Sequence, residues 1–577
     1  MTKSRNILIY ILFGLLIQNN IYSSNPSERR IIPLSQSEKT TDRFRFDLNS
    51  HIADIIYRHP ALYELQNHKG HFFDDVININ DSLSADSIPF RRTSVCLRYA
   101  DSKISGDFLP YNGNTFIDTE VLANAIYGTS NYGTIFGSIS FSKGLHAGYA
   151  WNAIRDADLY LPYIISDSTG GDYQYENYYV AGGYSFHLNR LYYGVEGSIK
   201  GEIASRQTDP RCANTLSYLT IRASATLPLD SGDALSLSAS YIRNKQYLHL
   251  LNWRPNQQDR FFVTYGFGYY DLQESPVSFG IRRMYYIEGV NTKLTYSNIG
   301  KNKNISPDIT ADLEYVLLSM KTEEASAKNL FGSTTHHFNG SLWLAFVKNS
   351  TLEYTVGVQT QNRLRKGKEN IYEAYRPDEN YPSIYDYRLV GTRSRYTSIV
   401  SQNMLQGKIN YNLTDNFTLE ALLGVGADYL SECYSLNNQH WSVISAYPSL
   451  GIGAKHRTAK AEWGVDARLF MHIPINYDYK VEYGEFRLDY QTTFLPYAFH
   501  TDRSVSVLSG LYFSYPITKN GQKAGISLKY YIRRGSRPID VRYNGTPGVV
   551  SHLLSNPSTE KIHNNEYRIN ATLFIEL

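Results

Sequence analysis

The stretch from Trp151 to Arg211 contains the residues whose types and spacing best suit a site. Those that we single out are Trp151, Asp156, Asp158, Asp167, Asp172, Glu176 and Arg211. Clustered carboxylates could bind a hard cation such as calcium through oxygen ligands, but this spacing is not that of an EF-hand loop. Two alternatives are a solvated loop with Asp and Gly in turns, and a loop folded inward as a constriction in which the acids and Arg211 face a pore. We predict an extracellular-loop motif and no metal site.

A second group of charged residues alternates with apolar ones along two extended stretches. It comprises Glu196, Lys200, Glu202, Lys460, Glu462, Asp466 and Arg468. Alternate side chains of a strand point to opposite faces, so each stretch has one charged and one apolar face. Charge is costly toward lipid and tolerated in a wet interior. The pattern predicts that these residues line a hydrated, ion-paired lumen that prefers neither anions nor cations.

Catalytic chemistry finds little support in the sequence. His336 and His337 are neighbours, and in a regular strand their side chains would point apart and could not bind one metal ion. No Ser, His and acid grouping stands out, and the G-x-S-x-G motif is absent. We therefore predict no enzyme and no cofactor. A net charge of +3 without a basic run argues against nucleic-acid binding.

The elements that must position these residues are strands with a two-residue period. Apolar residues occupy every second position in Phe417–Tyr429, Tyr193–Ile203, Leu352–Val358 and the last stretch, Glu566–Leu577. A transmembrane barrel requires this alternation over about 10 residues per strand. The 50 tyrosines fit aromatic girdles at the two membrane interfaces. The sequence thus predicts an all-β fold, an antiparallel outer-membrane barrel.

Short turns and long polar loops alternate along the chain, as they do between the periplasmic and extracellular ends of such barrels. The long loops include Lys143–Tyr173, Arg365–Tyr396 and Ile473–Asp502. We count about 20 strands from Thr93 onward, and Pro276–Asn298 could hold one strand or two. Both termini should face the periplasm, which requires an even number of strands, so 18 is the fallback. Cys212 and Cys433 fall in loops at the same end, so a disulfide between them and three separate thiols are both open.

The N-terminal part differs from the rest. Lys3 and Arg5 precede an apolar run from Ile7 to Ile17, which is typical of a signal peptide and too short for a membrane-spanning helix. We predict a signal peptide at 1–23, a periplasmic or plug-like segment at 24–90 and the barrel at 91–577. The protein is expected in the Gram-negative outer membrane.

The motif region also supports a resemblance. Trp151-Asn152, Leu161-Pro162-Tyr163-Ile164, Asp167-Ser168-Thr169-Gly170-Gly171-Asp172, Gly182-Gly183-Tyr184 and Asp209-Pro210-Arg211, with the signal peptide and last strand, resemble an uncharacterised outer-membrane β-barrel family of Bacteroidota. The resemblance implies a barrel and an outer-membrane location. It implies no activity and no site.

The functional prediction is a pore or uptake component for a small solute. The alternative is a closed scaffold barrel whose long loops bind a surface protein or ligand. A TonB-dependent receptor fits less well, since about 70 residues precede the first strand and such receptors have a larger plug. Expected partners are outer-membrane lipid and lipopolysaccharide, and the barrel-assembly machinery through the last strand. Pore and scaffold differ in whether Lys143–Tyr173 and Arg365–Tyr396 fold into the lumen.

Overall fold

The computed structural model describes residues 59–69, 91–106, 108–129, 132–229, 233–251, 259–275, 282–298, 308–324, 329–349, 351–377, 386–458, 460–481, 488–517, 522–538, 541 and 563–576. The predicted signal peptide at 1–23 and most of the predicted segment at 24–90 lie outside these residues. No helix in the described part of the chain is long and apolar enough to cross a membrane.

Antiparallel strands dominate the structure. They are β1 (Arg91–Ser105), β2 (Thr115–Thr129), β3 (Gly133–Tyr149), β4 (Ile165–Ser166), β5 (Gly171–Leu188), β6 (Leu191–Arg206), β7 (Arg211–Pro228), β8 (Asp233–Leu251), β9 (Asp259–Gly266), β10 (Tyr269–Ser275), β11 (Arg282–Asn298), β12 (Asp308–Glu324), β13 (Phe331–Asn349), β14 (Leu352–Tyr375), β15 (Asp386–Arg393), β16 (Tyr396–Thr414), β17 (Phe417–Tyr434), β18 (Gln439–Arg457), β19 (Glu462–Lys480), β20 (Arg503–Pro516), β21 (Lys523–Ser536) and β22 (His563–Glu576). The helices are α1 (Ala61–Lys69), α2 (Ala157–Tyr160) and α3 (Leu495–Thr501), with a π-helical turn at Tyr490–Phe494 and short 3-10 turns at Pro110–Asn112 and Leu436–Asn438.

The main sheet closes on itself as an 18-strand antiparallel barrel. Neighbours in sequence pair with each other, and β22 completes the ring by pairing with β1, with Phe574 opposite Cys96. The expectation of about 20 strands was too high, and the fallback of 18 is confirmed. The described part of the ambiguous region Pro276–Asn298, residues 282–298, is one strand, β11.

The two-residue period separates an apolar outer face from a polar inner face. On β6 the side chains of Val195, Ile199 and Ile203 are exposed, and those between them are buried. Exposed apolar side chains recur in this way around the barrel, as a lipid-facing wall requires. The alternation seen in the sequence is therefore the alternation between lipid and lumen.

The strands connect through short turns at one end, for example between β5 and β6 and between β16 and β17. At the other end, three connections turn back into the barrel. They are the inner loop (residues 150–170, containing α2 and β4), the inner hairpin (β9 and β10) and the inner helix (residues 488–502). We call these three together the plug. Strand β4 pairs with β9, so the inner loop and the inner hairpin share one small sheet.

The β14–β15 hairpin behaves differently. Strand β15 pairs with β14, and its side chains from Asp386 to Val390 are all exposed. The choice between pore and scaffold was expected to depend on two loops. The first, Lys143–Tyr173, contains the inner loop and folds into the barrel. The described part of Arg365–Tyr396 continues the barrel wall outward as a ribbon.

Helix α1 lies against the inner wall near the short-turn end. The backbone N–H of Ala61 donates to Ser224 Oγ at 2.8 Å, and Thr134 Oγ1 donates to Glu64 Oε2 at 2.6 Å. Tyr63 stacks on Phe136 with ring centroids 4.2 Å apart. The helix contacts β2, β3, β5, β6 and β7.

The three cysteines are thiols. Cys212 is buried, Cys433 is half-buried, and no disulfide joins them. Of the two possibilities that the sequence leaves open, the structure has separate thiols.

Candidate functional site

The candidate site is the interface between the plug and the barrel wall. Trp151, Asp156, Asp158 and Asp167 of the predicted motif belong to the inner loop. Trp151 and Asp167 are almost completely buried. The loop re-enters the barrel, and its apolar side chains pack in the lumen. That this connection lies at the extracellular end stays a prediction. The alternative of an inward fold describes the loop better.

A buried ion-pair cluster fastens the inner loop to β6. Arg155 Nε donates to Glu202 Oε1 at 2.6 Å, and Lys200 Nζ donates to Glu202 Oε2 at 2.7 Å. Asp156, next in the loop, accepts a short hydrogen bond from the Tyr218 hydroxyl. Burial, with Glu202 as a second cause, raises the pKa of Asp156 above its ordinary value. We call Arg155, Asp156, Lys200, Glu202 and Tyr218 the latch.

His146 on β3 extends the latch toward β2. Arg155 Nη1 donates to His146 Nδ1 at 2.8 Å, because a guanidinium has no acceptor atom. The Nε2 atom of His146 must therefore carry the proton that it shares with Asp118 Oδ1, 2.8 Å away. His146 thus relays hydrogen bonds between an arginine and a carboxylate.

Two further arginines of the wall bind the inner loop. Arg206 Nη2 donates to Asp167 Oδ2 at 2.9 Å, and the other oxygen of Asp167 accepts from the N–H groups of Thr169 and Gly170. Arg365 Nη1 and Nη2 donate to the carbonyl oxygens of Leu161 and Asp158, each at 2.8 Å. Asp158 therefore binds Arg365 through its backbone carbonyl oxygen.

The remaining motif residues lie away from the latch. Asp172 is exposed on β5 and accepts from the N–H of Gly148. Glu176 is a strand residue and not a loop residue, and it forms an exposed pair with Lys143 at 2.9 Å. Arg211 pairs with Asp209 at 3.1 Å. The structure therefore separates the predicted motif into a buried part and a surface part.

The predicted lumen residues also divide. Glu196, Lys200 and Glu202 are buried on the inner face of β6. On β19, Glu462 pairs with Arg457, and Asp466 pairs with Arg468 at 3.6 Å. The placement of Lys460 in the lumen was wrong. Lys460 is exposed in the turn between β18 and β19, two residues before β19 begins. That the other six line a solute path stays a prediction.

The accessibility of the inner wall differs between its two sides. The side chains of Lys200 and Glu202 on β6 are each 4% exposed. On the β18–β19 side, those of Lys455 and Asp466 are 52% and 39% exposed. The wall beside α1 and the inner loop is filled, whereas the wall opposite presents charged groups to solvent inside the barrel.

Aromatic packing joins the three parts of the plug. Trp151 of the inner loop, Phe262 of the inner hairpin and Leu488 of the inner helix form one cluster. Gly268, at the tip of the hairpin, has a φ of 78°, and a Cβ there would lie 2.5 Å from the backbone N of Asp489. The inner loop, hairpin and helix therefore pack as one body.

A second group of polar and aromatic side chains lies where the inner hairpin meets β14 and β17. Glu369 accepts from the Tyr434 hydroxyl at 2.8 Å and from Arg395 Nη1 at 3.4 Å. The Tyr269 ring lies 5.4 Å from that of Tyr434, and its hydroxyl accepts from Gln439 Nε2 at 2.8 Å. We call Glu369, Arg395, Tyr434, Tyr269 and Gln439 the rim cluster.

The rim cluster is partly open to solvent. Tyr269, Tyr265 and Arg395 are half-buried, and Asp271 is exposed. The Tyr265 hydroxyl donates a short hydrogen bond to Asp271, whose pKa is raised by partial burial. Beneath them, the buried Tyr163 stacks on Phe331 with centroids 4.8 Å apart. The Tyr163 hydroxyl has no hydrogen-bond partner among the described residues.

Several of these residues escaped the sequence reading. Arg155, Arg206 and Arg365 carry the contacts to the loop, but each is an isolated arginine without a motif. The available signal was charge at inner-face positions of predicted strands: Arg206 follows Glu202 by four residues on β6, so both side chains face the lumen. The rim cluster gave no signal, since its members lie far apart in sequence.

No group of three or more His, Cys, Asp or Glu side chains within the described ranges is arranged to bind a metal ion. The closed ring of strands, its apolar outer face and its polar interior define an outer-membrane β-barrel protein.

More particularly, the chain belongs to the family of unknown function DUF6850, whose model matches residues 83–576. That the family is one of Bacteroidota stays a prediction. No curated protein matches the sequence.

Solved structures that are similar include the copper transporter OprC, with a TM-score of 0.36, 8% identity, and 85% and 81% of the two chains covered. Another is BauA, the ferric preacinetobactin receptor from Acinetobacter baumannii, with a TM-score of 0.35, 9% identity, and 85% and 80% covered. The ferric citrate transporter FecA in its unliganded form has a TM-score of 0.33 at 9% identity, with 84% and 79% covered. These scores are low, and no ligand of those proteins is transferred to this chain.

Proposed function

We propose that this protein is a gated uptake barrel for a small polar solute, and that the plug is its gate. The observation that carries the proposal is the asymmetry of the inner wall. Lys455 and Asp466 present charge to solvent inside the barrel, while the plug fills the end with the long connections. A polar space that ends at a plug suits passage that is blocked until the plug moves.

The latch suits a gate because it can be released without breaking the fold. Its contacts are ion pairs and hydrogen bonds between one loop and the wall, and water can replace these contacts when the loop moves away from the wall. The barrel itself is held by strand pairing around the whole ring, which the movement of one loop leaves intact. The cost is the temporary exposure of buried charges, which keeps the closed state the usual one.

The alternative is a permanently closed scaffold. The observation in its favour is the number of wall elements that bind the inner loop. Besides β6 and β14, Tyr173 and Asn214 both donate to the carbonyl oxygen of Ala153, at 3.0 Å each, and Ile165 donates to the Tyr285 hydroxyl. A loop bonded to so many strands could be a fixed part of the core, with the projecting β14–β15 ribbon as the binding element.

Locking the plug distinguishes these functions. Ala153→Cys and Asn214→Cys place a cysteine pair across the contact between inner loop and β7, in a Cys212→Ser background that prevents mispairing. Flux of neutral solutes of increasing size, from glycerol to raffinose, is measured in liposomes with the pair oxidised and then reduced. A gate gives slow flux that oxidation stops and reduction restores. A scaffold gives none in either state, provided that heat-modifiable gel migration shows a folded barrel.

A further inference from the structure

The rim cluster has the composition of a ligand site that the latch does not explain. We infer that it binds a neutral polyhydroxylated molecule, a saccharide unit, as the solute that the barrel takes up. The inference rests on the proposed uptake function, and it adds the chemical class of the solute and the residues that recognise it.

Ring faces provide the first argument. Tyr269 and Tyr265 are half-buried beside solvent, and the Tyr434 ring lies beneath Tyr269. A tyrosine with one face packed and the other accessible can stack on the apolar face of a sugar ring, and its hydroxyl supplies a polar end. The Tyr265 ring is held edge-on to Phe331 with centroids 5.2 Å apart, so its orientation is fixed before any ligand arrives.

Charge supports the same conclusion, because the two carboxylates of the rim, Glu369 and Asp271, are already bound by neighbouring side chains. Glu369 is bound by Tyr434 and Arg395, and Asp271 by Tyr265. A charged ligand would have to break these pairs and leave one member desolvated, which is costly. A neutral ligand with several hydroxyl groups can donate to the carboxylate lone pairs of Glu369 and Asp271 without breaking either pair.

The buried hydroxyl of Tyr163 provides the third argument. It lies where a Cβ of residue 367 would be, so Gly367 is what makes room for it on the inner face of β14. It has no hydrogen-bond partner among the described residues, although it is close enough to Glu369 and Arg395 to be influenced by their charges. A buried hydroxyl without a partner is unfavourable, and a ligand hydroxyl at the floor of the rim cluster would provide one.

Two substitutions test the site. Tyr163→Phe removes only the hydroxyl and keeps the stacking on Phe331, so the barrel should fold with unchanged or slightly higher thermal stability. Tyr269→Ala removes the outer ring. The full-length protein in detergent is tested against an array of neutral oligosaccharides, with trialanine and inorganic phosphate as the charged probes. The best oligosaccharide is then titrated by calorimetry.

We expect at least one neutral oligosaccharide to bind, with affinity lowered about 3- to 10-fold by Tyr163→Phe and at least about 10-fold by Tyr269→Ala, since a hydrogen bond contributes about 0.5–1.5 kcal/mol. Tyr178→Ala, on the lipid-facing side of β5, is the control that should not change binding. Binding of no oligosaccharide, binding unaffected by both rim substitutions, or rim-dependent binding of trialanine or phosphate instead would overturn the inference. Because the titration involves no flux, sugar binding without flux would overturn the gate and keep the site. Flux without sugar binding would overturn the saccharide site and keep the gate.

Discussion

Arg155 of the inner loop and Glu202 of β6 form a buried ion pair with Nε and Oε1 2.6 Å apart. The two residues are 47 positions apart in sequence and are joined inside the barrel, where neither is reached freely by water. This pair is the centre of the latch, since Lys200 shares the same carboxylate and His146 shares the same guanidinium.

Glu202→Gln should loosen the plug. The neutral amide leaves Arg155 and Lys200 without their shared counter-charge, and removing one member of a buried pair costs about 3–5 kcal/mol. We expect faster amide hydrogen exchange in residues 152–160 and a lower unfolding temperature. Glu176→Gln, which removes the exposed carboxylate that pairs with Lys143, is the matched control and should change neither. Unchanged exchange in the Glu202→Gln protein would mean that the ion pair does not hold the loop.

Arg365→Lys should release the middle of the inner loop while keeping the charge. The guanidinium reaches the carbonyl oxygens of Leu161 and Asp158 with two different nitrogens, and an ammonium group cannot reproduce this fork. We expect hydrogen exchange to rise at residues 158–163 and to stay as it was in the barrel strands. Arg388→Lys, on the exposed pair with Glu373, provides the comparison and should leave the inner loop protected.

The latch should weaken as the pH rises. Burial, and after it Glu202, raises the pKa of Asp156 in the closed state. As the pH rises, the carboxyl group therefore loses its proton first in the released loop and only at a higher pH in the closed state. The stabilisation is therefore complete below the ordinary aspartate pKa of about 3.9 and is lost as the pH rises through the higher value. Exchange of residues 152–160 should increase with pH, after correction for intrinsic exchange, and Asp156→Asn should abolish this increase. Asp172→Asn, at an exposed position of β5, should leave the increase with pH unchanged.

Gly268→Ala should disturb the contact between inner hairpin and inner helix. A residue with a side chain at a φ of 78° costs about 1–2 kcal/mol from the backbone alone, and the new Cβ would meet the backbone of Asp489. We expect a lower unfolding temperature and earlier proteolysis of residues 488–502. Gly197→Ala, where a Cβ would have nothing within 4 Å, should be neutral. Equal effects of the two substitutions would contradict the packing of the plug described above.

The barrel could be predicted from the sequence because its determinants are local. The side chains of a lipid-facing strand alternate between its two faces. The sequence alone therefore indicates that Val195, Ile199 and Ile203 face outward. In the same way it indicates that Glu196, Lys200 and Glu202 face inward. The strand count was less certain because Pro276–Asn298 could hold one strand or two, and because a two-residue period does not distinguish the β14–β15 ribbon from the barrel wall. Lys460 was misplaced by the same limitation, since the alternation continues into the turn before β19.

An inward fold of the loop was one of the alternatives that the sequence left open, but it could not be chosen from the sequence because its determinants are distant along the chain. Whether the loop with Asp156 and Asp167 stays in water or re-enters the barrel depends on Arg206 and Arg365, whose roles appear only once the ring of strands has closed. Of the acids that suggested a cation site, Asp156 accepts from Tyr218, Asp167 from Arg206 and Glu176 from Lys143. Composition identified the right segment, and the geometry of the wall determined what it does there.

The central claim, that the protein closes its own barrel, is tested most directly by single-channel conductance in a planar bilayer. Native protein is compared with a variant in which residues 152–166 are replaced by a short Gly-Ser linker, both verified as folded barrels by heat-modifiable gel migration. We predict a native protein that is closed apart from rare, brief openings, and a variant with stable open steps. Long-lived native steps of the same size as those of the variant would show that the inner loop does not close the barrel. A folded variant as silent as the native protein would contradict the claim equally.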